Sequence, residues 1–246
     1  MGQGVVDVLA PPMAEIGTAM MIQQWRQLTF LHWRYPAEAV SRLLPAELTP
    51  HTIDGEVWVG LIPFLMCEVR PPRFPELPWL SRFPETNLRT YVQGPDGGTG
   101  IWFFSLDAAR LPAVALARAG LGLPYRWARM SLQAEGDVTT YQGIRRYEPR
   151  GANYRIGIRA GAAYPEPDLG PLDHFLTTRH RLYTVKMGRL VTVDVWHPSW
   201  QLHRAEVVEL RQNITEAAGL PRPHGAPLVH YAPGVRTRIG LPKVIR

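Results

Sequence analysis

Apolar and polar positions alternate with a period of two over much of the chain, which is the signature of strands. The segment Gln23 to Trp33 is rich in Trp, Leu, Thr and Phe and predicts the first strand. P-A-E-A-V-S-R-L-L then predicts a short helix, with Pro36 in its first turn and Pro45 just past its end. Asp54-Gly55 marks a turn, and V-W-V-G-L-I-P-F-L-M reads as a buried strand. Strands over about 86–92 and 99–106 flank Pro95-Asp96-Gly97-Gly98, a strong hairpin signal. A small apolar helix over Pro112–Ala119 is stopped by Gly120 and Gly122, and its alanine-rich faces predict burial against a sheet. Three strands follow between 126 and 160, broken at Gly136-Asp137 and around Pro149-Arg150-Gly151. Segments 181–186 and 189–196 pair across Met187-Gly188. A helix is expected near Glu206–Ala218, ended by Gly219 and Pro221, with closing strands around Leu228–Tyr231 and Val235–Ile239.

Many short strands with few helices predict an α+β, mainly β architecture, a barrel or sandwich with helical inserts. Residues 1–20 read as a loose lead-in. The stretch 70–84 contains Pro71, Pro72, Pro75, Pro78 and Pro84, and residues 161–171 are again rich in Pro and Gly. Both predict stiff surface loops rather than linkers, because strand patterns resume on either side. With no repeat and no low-complexity segment, residues 1–246 are expected to form a single domain.

Composition narrows the function classes. The chain is 46% hydrophobic and 20% charged, ordinary for a globular protein, and long enough to bury a core without staples. Its one cysteine, Cys67, excludes an intrachain disulfide and a thiolate zinc cluster; it follows an apolar run and reads as a core residue. The net charge is +6 and the pI near 9.8, but only Lys186 and Lys243 among the 27 basic residues are lysines. The arginines are dispersed, so no nucleic-acid partner is expected. No apolar stretch approaches the ~18–20 residues of a membrane span, and the N-terminus lacks a basic region before an apolar core. No membrane association is expected, the cytoplasm is the expected compartment, and a homo-oligomer is left open.

There is no P-loop, nucleophile elbow, S-x-x-K or dinucleotide fingerprint, so no cofactor is expected. The eight histidines never occur as H-x-H or H-E-x-x-H, and no metal site is expected. Two strands carry unusual polar faces. In F-P-E-T-N-L-R-T-Y, residues Glu85, Asn87, Arg89 and Tyr91 share one face. The plain reading is the solvent face of an edge strand; the alternative is a ligand surface inside a barrel. In the first strand, Arg26, Leu28, Phe30, His32 and Arg34 share one face and Trp25, Gln27, Thr29, Leu31 and Trp33 the other. Neither face is cleanly polar, so both are expected to be covered. A buried Arg26 needs a partner, for which Glu85 is a candidate; a substrate carboxylate is the alternative.

A resemblance rests on F-L-H-W-R-Y-P-A-E-A-V-S-R-L-L-P, W-V-G-L-I-P-F, F-P-E-T-N-L-R-T-Y-V, W-F-F-S-L-D-A-A-R, G-L-P-Y-R-W-A-R-M, F-L-T-T-R-H-R-L-Y, H-P-S-W and L-V-H-Y-A-P-G-V. In order, from about Gln24 to Gly234, these blocks resemble the YqjF-like bacterial family of unknown function, within the acetoacetate-decarboxylase-like superfamily. The resemblance implies an antiparallel β-barrel with a few helices packed against it and a central cavity. Against the decarboxylases themselves, Arg26 falls on an active-site arginine and Glu85 on the catalytic glutamate. Arg118, Gly122 and Pro124 fall on the helix that leads into their lysine pair. Tyr125 and Arg126 stand where the two lysines would be, and the second active-site glutamate has no clear counterpart near Val59-Gly60.

The decarboxylase reaction needs an amine to form an iminium, and neither phenol nor guanidinium can do so. What the resemblance leaves is an acid and a phenol, Glu85 and Tyr125, as catalytic candidates. Arg26, Arg89, Arg126 and Asn87 are the candidates for binding an anionic small molecule. The expected activity is a lyase- or isomerase-type proton transfer on an anionic oxo-compound without an imine. The alternatives are a non-catalytic binding or sensor domain built on the same cavity, and a structural protein.

Overall fold

The computed structural model describes residues 14–77, 79–147, 149 and 151–245. Its first half contains β1 (Met21–Tyr35), α1 (Ala37–Ser41), β2 (Thr49–Pro50), β3 (Val57–Arg70), β4 (Phe83–Gln93), β5 (Thr99–Ala108) and α2 (Leu111–Leu121). Then follow β6 (Tyr125–Glu135), β7 (Val138–Arg145), β8 (Asn153–Ala163), α3 (Pro171–Thr177), β9 (Arg181–Lys186) and β10 (Arg189–Trp196). The chain ends with β11 (His203–Gln212), α4 (Ile214–Ala217) and β12 (Leu228–Val244). Most of the expected lead-in, and Pro78 and Arg150 of the expected loops, lie outside the described residues.

All strands belong to one sheet in the order β10-β9-β5-β6-β7-β8-β11-β12-β1-β3-β4-β2. Two further pairings, β10 with β12 and β4 with β5, close it into rings. The sheet is antiparallel, as expected, except at β5, which runs parallel to both β6 and β9. The physical reason is α2. Antiparallel neighbours can be joined by a tight hairpin, whereas parallel ones need a crossover, and α2 supplies it between β5 and β6. Pro112 starts that helix, and Gly122 ends it in the left-handed conformation at φ 71°. A Cβ at Gly122 would lie 2.5 Å from the Val185 carbonyl oxygen, so glycine also permits close packing there.

The sheet buries apolar side chains on both sides. Leu31, Trp33, Leu61, Leu88, Tyr141 and Ile156 form one core. Leu28, Phe30, Phe64, Met66, Phe83, Val114 and Trp200 form another on the opposite side. Tyr91, Phe103, Leu106, Phe175 and Leu176 form a third. Helix α3 is packed into this last core, and its final carbonyls would be costly to bury unpaired. Leu176 O accepts from Arg89 Nη2 at 3.0 Å and from the Tyr91 hydroxyl, and Thr177 O accepts from Trp200 Nε1 at 2.9 Å. Phe175 O accepts from Arg179 Nε at 2.8 Å. Positive charge at a helix C-terminus is favourable, so Arg89 serves the fold as well as any ligand.

Two expectations change for local reasons. Residues 206–212 are strand, not helix: β11 alternates partly buried and exposed positions and pairs with β8, leaving only α4 helical. In β1 the alternation breaks at Gln27, whose φ is +50°. The register against β3 shifts between Arg26 and Leu31. This bulge reverses which side the preceding residues face. Trp25 consequently joins Phe30 and Phe64 around Trp200, and Arg26 turns out to solvent.

Candidate functional site

Glu85 sits near the start of β4, opposite Phe64 of β3 and Ala108 of β5. Tyr125 opens β6 opposite Leu106, directly after the α2 crossover. The parallel pairing therefore brings a residue 40 positions away onto Glu85. The Tyr125 hydroxyl donates to both carboxylate oxygens, at 3.2 and 3.3 Å. Glu85 is 1% exposed, while Tyr125 is partly exposed.

Burial dominates the electrostatics. It pushes the Glu85 carboxyl up to about 8; the Tyr125 hydrogen bond opposes this and the charge of Asp107 adds to it. Burial, and then the Glu85 charge, push the Tyr125 phenol well above its ordinary range. At neutral pH the pair is thus a protonated carboxyl beside a neutral phenol. A carboxyl poised within about one unit of neutrality suits proton transfer in either direction.

Asn87 and Arg89 continue the same face of β4, and that face is not solvent-exposed: β4 lies between β3 and β5, and Arg89 and Tyr91 are buried. The edge-strand reading of the sequence is corrected by this placement. The Asn87 Oδ1 and Arg89 Nε atoms are buried without a hydrogen-bond partner. The Arg89 guanidinium lies 5.8 Å from the Phe30 ring and 5.7 Å from the Tyr91 ring. Beyond it the Tyr91 hydroxyl is 2.7 Å from His32 Nε2. Burial and the adjacent Arg89 charge hold His32 well below the ordinary imidazole range.

Of the six residues singled out by sequence, four share this face and two do not. The expected Arg26–Glu85 pair is not formed. Arg26 is exposed, donates to Gln24 Oε1 at 2.6 Å and lies 3.9 Å from Glu68, because of the bulge at Gln27. Arg126 follows Tyr125 in the strand and so faces the other side, beside Asp107 in register. That side holds a buried ion pair absent from the sequence reading. Arg145 Nε reaches both Asp107 oxygens at 2.9 and 3.0 Å, and Arg145 Nη2 reaches Ser105 Oγ at 2.7 Å.

Neither lysine is at the site. Lys186 donates to the Gly120 carbonyl at the end of α2, and Lys243 donates to Asp194 at 2.7 Å. A groove of about 230 Å³ lined by Trp102, Phe104, Pro124, Tyr183 and Val185 among others contains none of the six residues. Sequence reasoning also missed His230 and Asp173, whose side chains meet at 2.8 Å. His230 lay inside a resembling block, L-V-H-Y, but nothing local marks Asp173 as its partner. Among the described residues no group of three or more His, Cys, Asp or Glu is arranged to hold a metal ion.

The fold is the one found in acetoacetate-decarboxylase-like proteins. The enduracididine biosynthesis enzyme MppR complexed with pyruvate superposes with a TM-score of 0.65, at 12% identity over 94% of this chain and 92% of that one. An acetoacetate decarboxylase-like enzyme from Sphingomonas wittichii RW1 gives 0.63 at 15% identity, covering 94% of each chain. Acetoacetate decarboxylase from Legionella pneumophila gives 0.61 at 13% identity over 99% of this chain and 96% of that one. Within that fold the chain belongs to the DUF2071 family, described as an uncharacterized conserved protein, which matches residues 22–236. The uncharacterized protein YqjF of Bacillus subtilis (strain 168) is 36% identical over 216 residues, 88% of each chain. No helix among the described residues is long and apolar enough to cross a membrane.

Proposed function

We propose that the protein is a small-molecule enzyme that moves a proton on an anionic oxo-compound, without an imine. The observation that carries this reading is the buried Tyr125–Glu85 pair, with the carboxyl raised to about 8. Arg89, anchored through Nη2 to Leu176 O, keeps Nε for the substrate carboxylate. Asn87 adds a second polar contact on the same face. Two structural neighbours, named for acetoacetate decarboxylation and for a pyruvate complex, support an oxo-anion as the substrate class.

The ionised Glu85 removes a proton from the carbon next to the carbonyl. The C–H bond breaks, an O–H bond forms on Glu85, and the electron pair moves to the carbonyl oxygen as an enolate. Once Glu85 holds the proton it no longer needs the hydrogen bond from Tyr125, whose hydroxyl is then available to the enolate oxygen. Return of the proton to the same carbon gives exchange, and to another atom gives isomerisation. Arg26 and Arg126 have no part in this scheme.

The test is deuterium incorporation at the methyl carbon of pyruvate in D2O, followed by proton NMR. The wild type is expected to accelerate exchange, with a rate that rises through about pH 8 and then levels, and Glu85→Gln is expected to abolish the acceleration. Pyruvate-dependent thermal stabilisation without exchange would instead identify a binding or sensor domain.

A further inference from the structure

Two buried imidazoles stand beside Arg89 on the face that carries Glu85. His32 is the register partner of Gly60, and Gly60 is the partner of Arg89. His230 of β12 pairs with Phe30, two residues before His32 on the same face of β1. Gly60 permits this arrangement, since a Cβ there would lie 2.7 Å from His32 Nε2. His32 and His230 are 0% and 1% exposed, and the Nδ1 atom of each is buried without a hydrogen-bond partner.

The partners fix the tautomers. The Tyr91 hydroxyl gives its one hydrogen to the Leu176 carbonyl, which can only accept. His32 Nε2 must therefore donate to Tyr91, which leaves a lone pair on Nδ1 of the neutral ring. Asp173 accepts from His230 Nε2 at 2.8 Å, which likewise leaves the lone pair on Nδ1. The second Asp173 oxygen is held by the Gly170 N–H at 2.8 Å, so the carboxylate cannot turn. Burial holds both rings below the ordinary imidazole range, which keeps them neutral. A buried acceptor with nothing to accept from costs free energy that a ligand donor recovers. Arg89 and Tyr125 offer donors to an anion; these two nitrogens offer the opposite.

We propose that His230 Nδ1 accepts a hydrogen bond from a hydroxyl group of the ligand, so that the ligand is a hydroxylated oxo-acid anion and not a simple oxo-acid. Asp173 is the positioning residue that sets the His230 tautomer. This inference rests on the oxo-anion reading above and deepens it.

The test is calorimetric titration of the full chain with hydroxypyruvate and with pyruvate. The wild type is expected to bind hydroxypyruvate at least about tenfold more tightly, the size of one good hydrogen bond to a buried group. Asp173→Asn should remove that preference. The Gly170 N–H claims the amide oxygen, the amide NH2 then faces His230 Nε2, and the ring must carry its hydrogen on Nδ1. His230→Phe should likewise remove the preference. Equal affinity for the two acids in the wild type overturns this inference and leaves the proton-transfer reading standing. Absence of binding by either acid overturns both. A separate readout does not depend on any variant's folding: nitrogen-15 NMR of the wild-type ring should show His230 protonated on Nε2, and an Nδ1–H tautomer overturns the assignment.

Discussion

Glu85 and Asp107 lie one register step apart on neighbouring strands and point to opposite sides of the sheet. Both are 1% exposed, yet Glu85 meets a phenol and Asp107 a guanidinium. Glu85 therefore keeps its proton to about pH 8, whereas an unfolded chain would lose it near 4.5. A raised carboxyl contributes stability that is fully present below the unfolded value and is lost as pH rises through the folded one. That loss amounts to about 5 kcal/mol between those limits. Glu85→Gln is thus expected to match the wild type near pH 5 and to exceed it in stability near pH 9. Urea denaturation at both pH values checks this, and parallel pH profiles would contradict it. The comparison must be between the two proteins, because His197, held by burial down to about 4, imposes the opposite trend at the acid end.

The Asp107–Arg145 pair makes a different prediction. Asp107→Asn strands a buried guanidinium and should cost about 3–5 kcal/mol at neutral pH. Replacing both partners together, with Asp107→Leu and Arg145→Met, should recover most of that loss. A double substitution as damaging as the sum of the single ones would show that the pair does more than neutralise itself.

Much of the fold was legible because its signals are local. The hairpins at Pro95–Gly98 and at Met187-Gly188, the helix with Pro112 and Gly122, and the polar face of β4 all followed from spacing and turn residues. The β11 segment misled because its run of Glu, Val, Leu and Arg suits a helix by propensity, while pairing with β8 decides for strand. The geometry of the candidate site was half legible. Glu85 and Tyr125 came from the resemblance, but Arg26 was misplaced because one left-handed residue, Gln27, reverses the alternation that precedes it. Asp173–His230 and Asp107–Arg145 join residues 57 and 38 positions apart, and only the closed sheet reveals them.

That bulge is itself testable. A left-handed conformation costs an ordinary side chain roughly 1–2 kcal/mol, and a β-branched one more. Gln27→Gly should leave stability unchanged or raise it, and Gln27→Val should lower it, because valine adds its β-branched excess to the cost that Gln27 already carries. Thermal denaturation of the two variants separates these outcomes, and a tolerated valine would argue against the bulge.

Schiff-base chemistry is expected to be absent. Lys186 donates to the Gly120 carbonyl at the end of α2 and Lys243 is tied to Asp194, and among the described residues neither lysine hydrogen-bonds Glu85 or Tyr125. Borohydride reduction in the presence of acetoacetate, followed by peptide mass mapping, should find no adduct on either lysine. An adduct on Lys186 would overturn the imine-free account.

Burial keeps Glu85 protonated at neutral pH, against the hydrogen bond from Tyr125. Carbon-13 NMR of the Glu85 carboxyl carbon, titrated in the wild type and in Tyr125→Phe, measures this directly. The account predicts a midpoint near 8 in the wild type and a higher one in Tyr125→Phe, because the phenol's hydrogen bond favours the ionised form. A wild-type midpoint near 4.5, or one that falls on removing the hydroxyl, would contradict it.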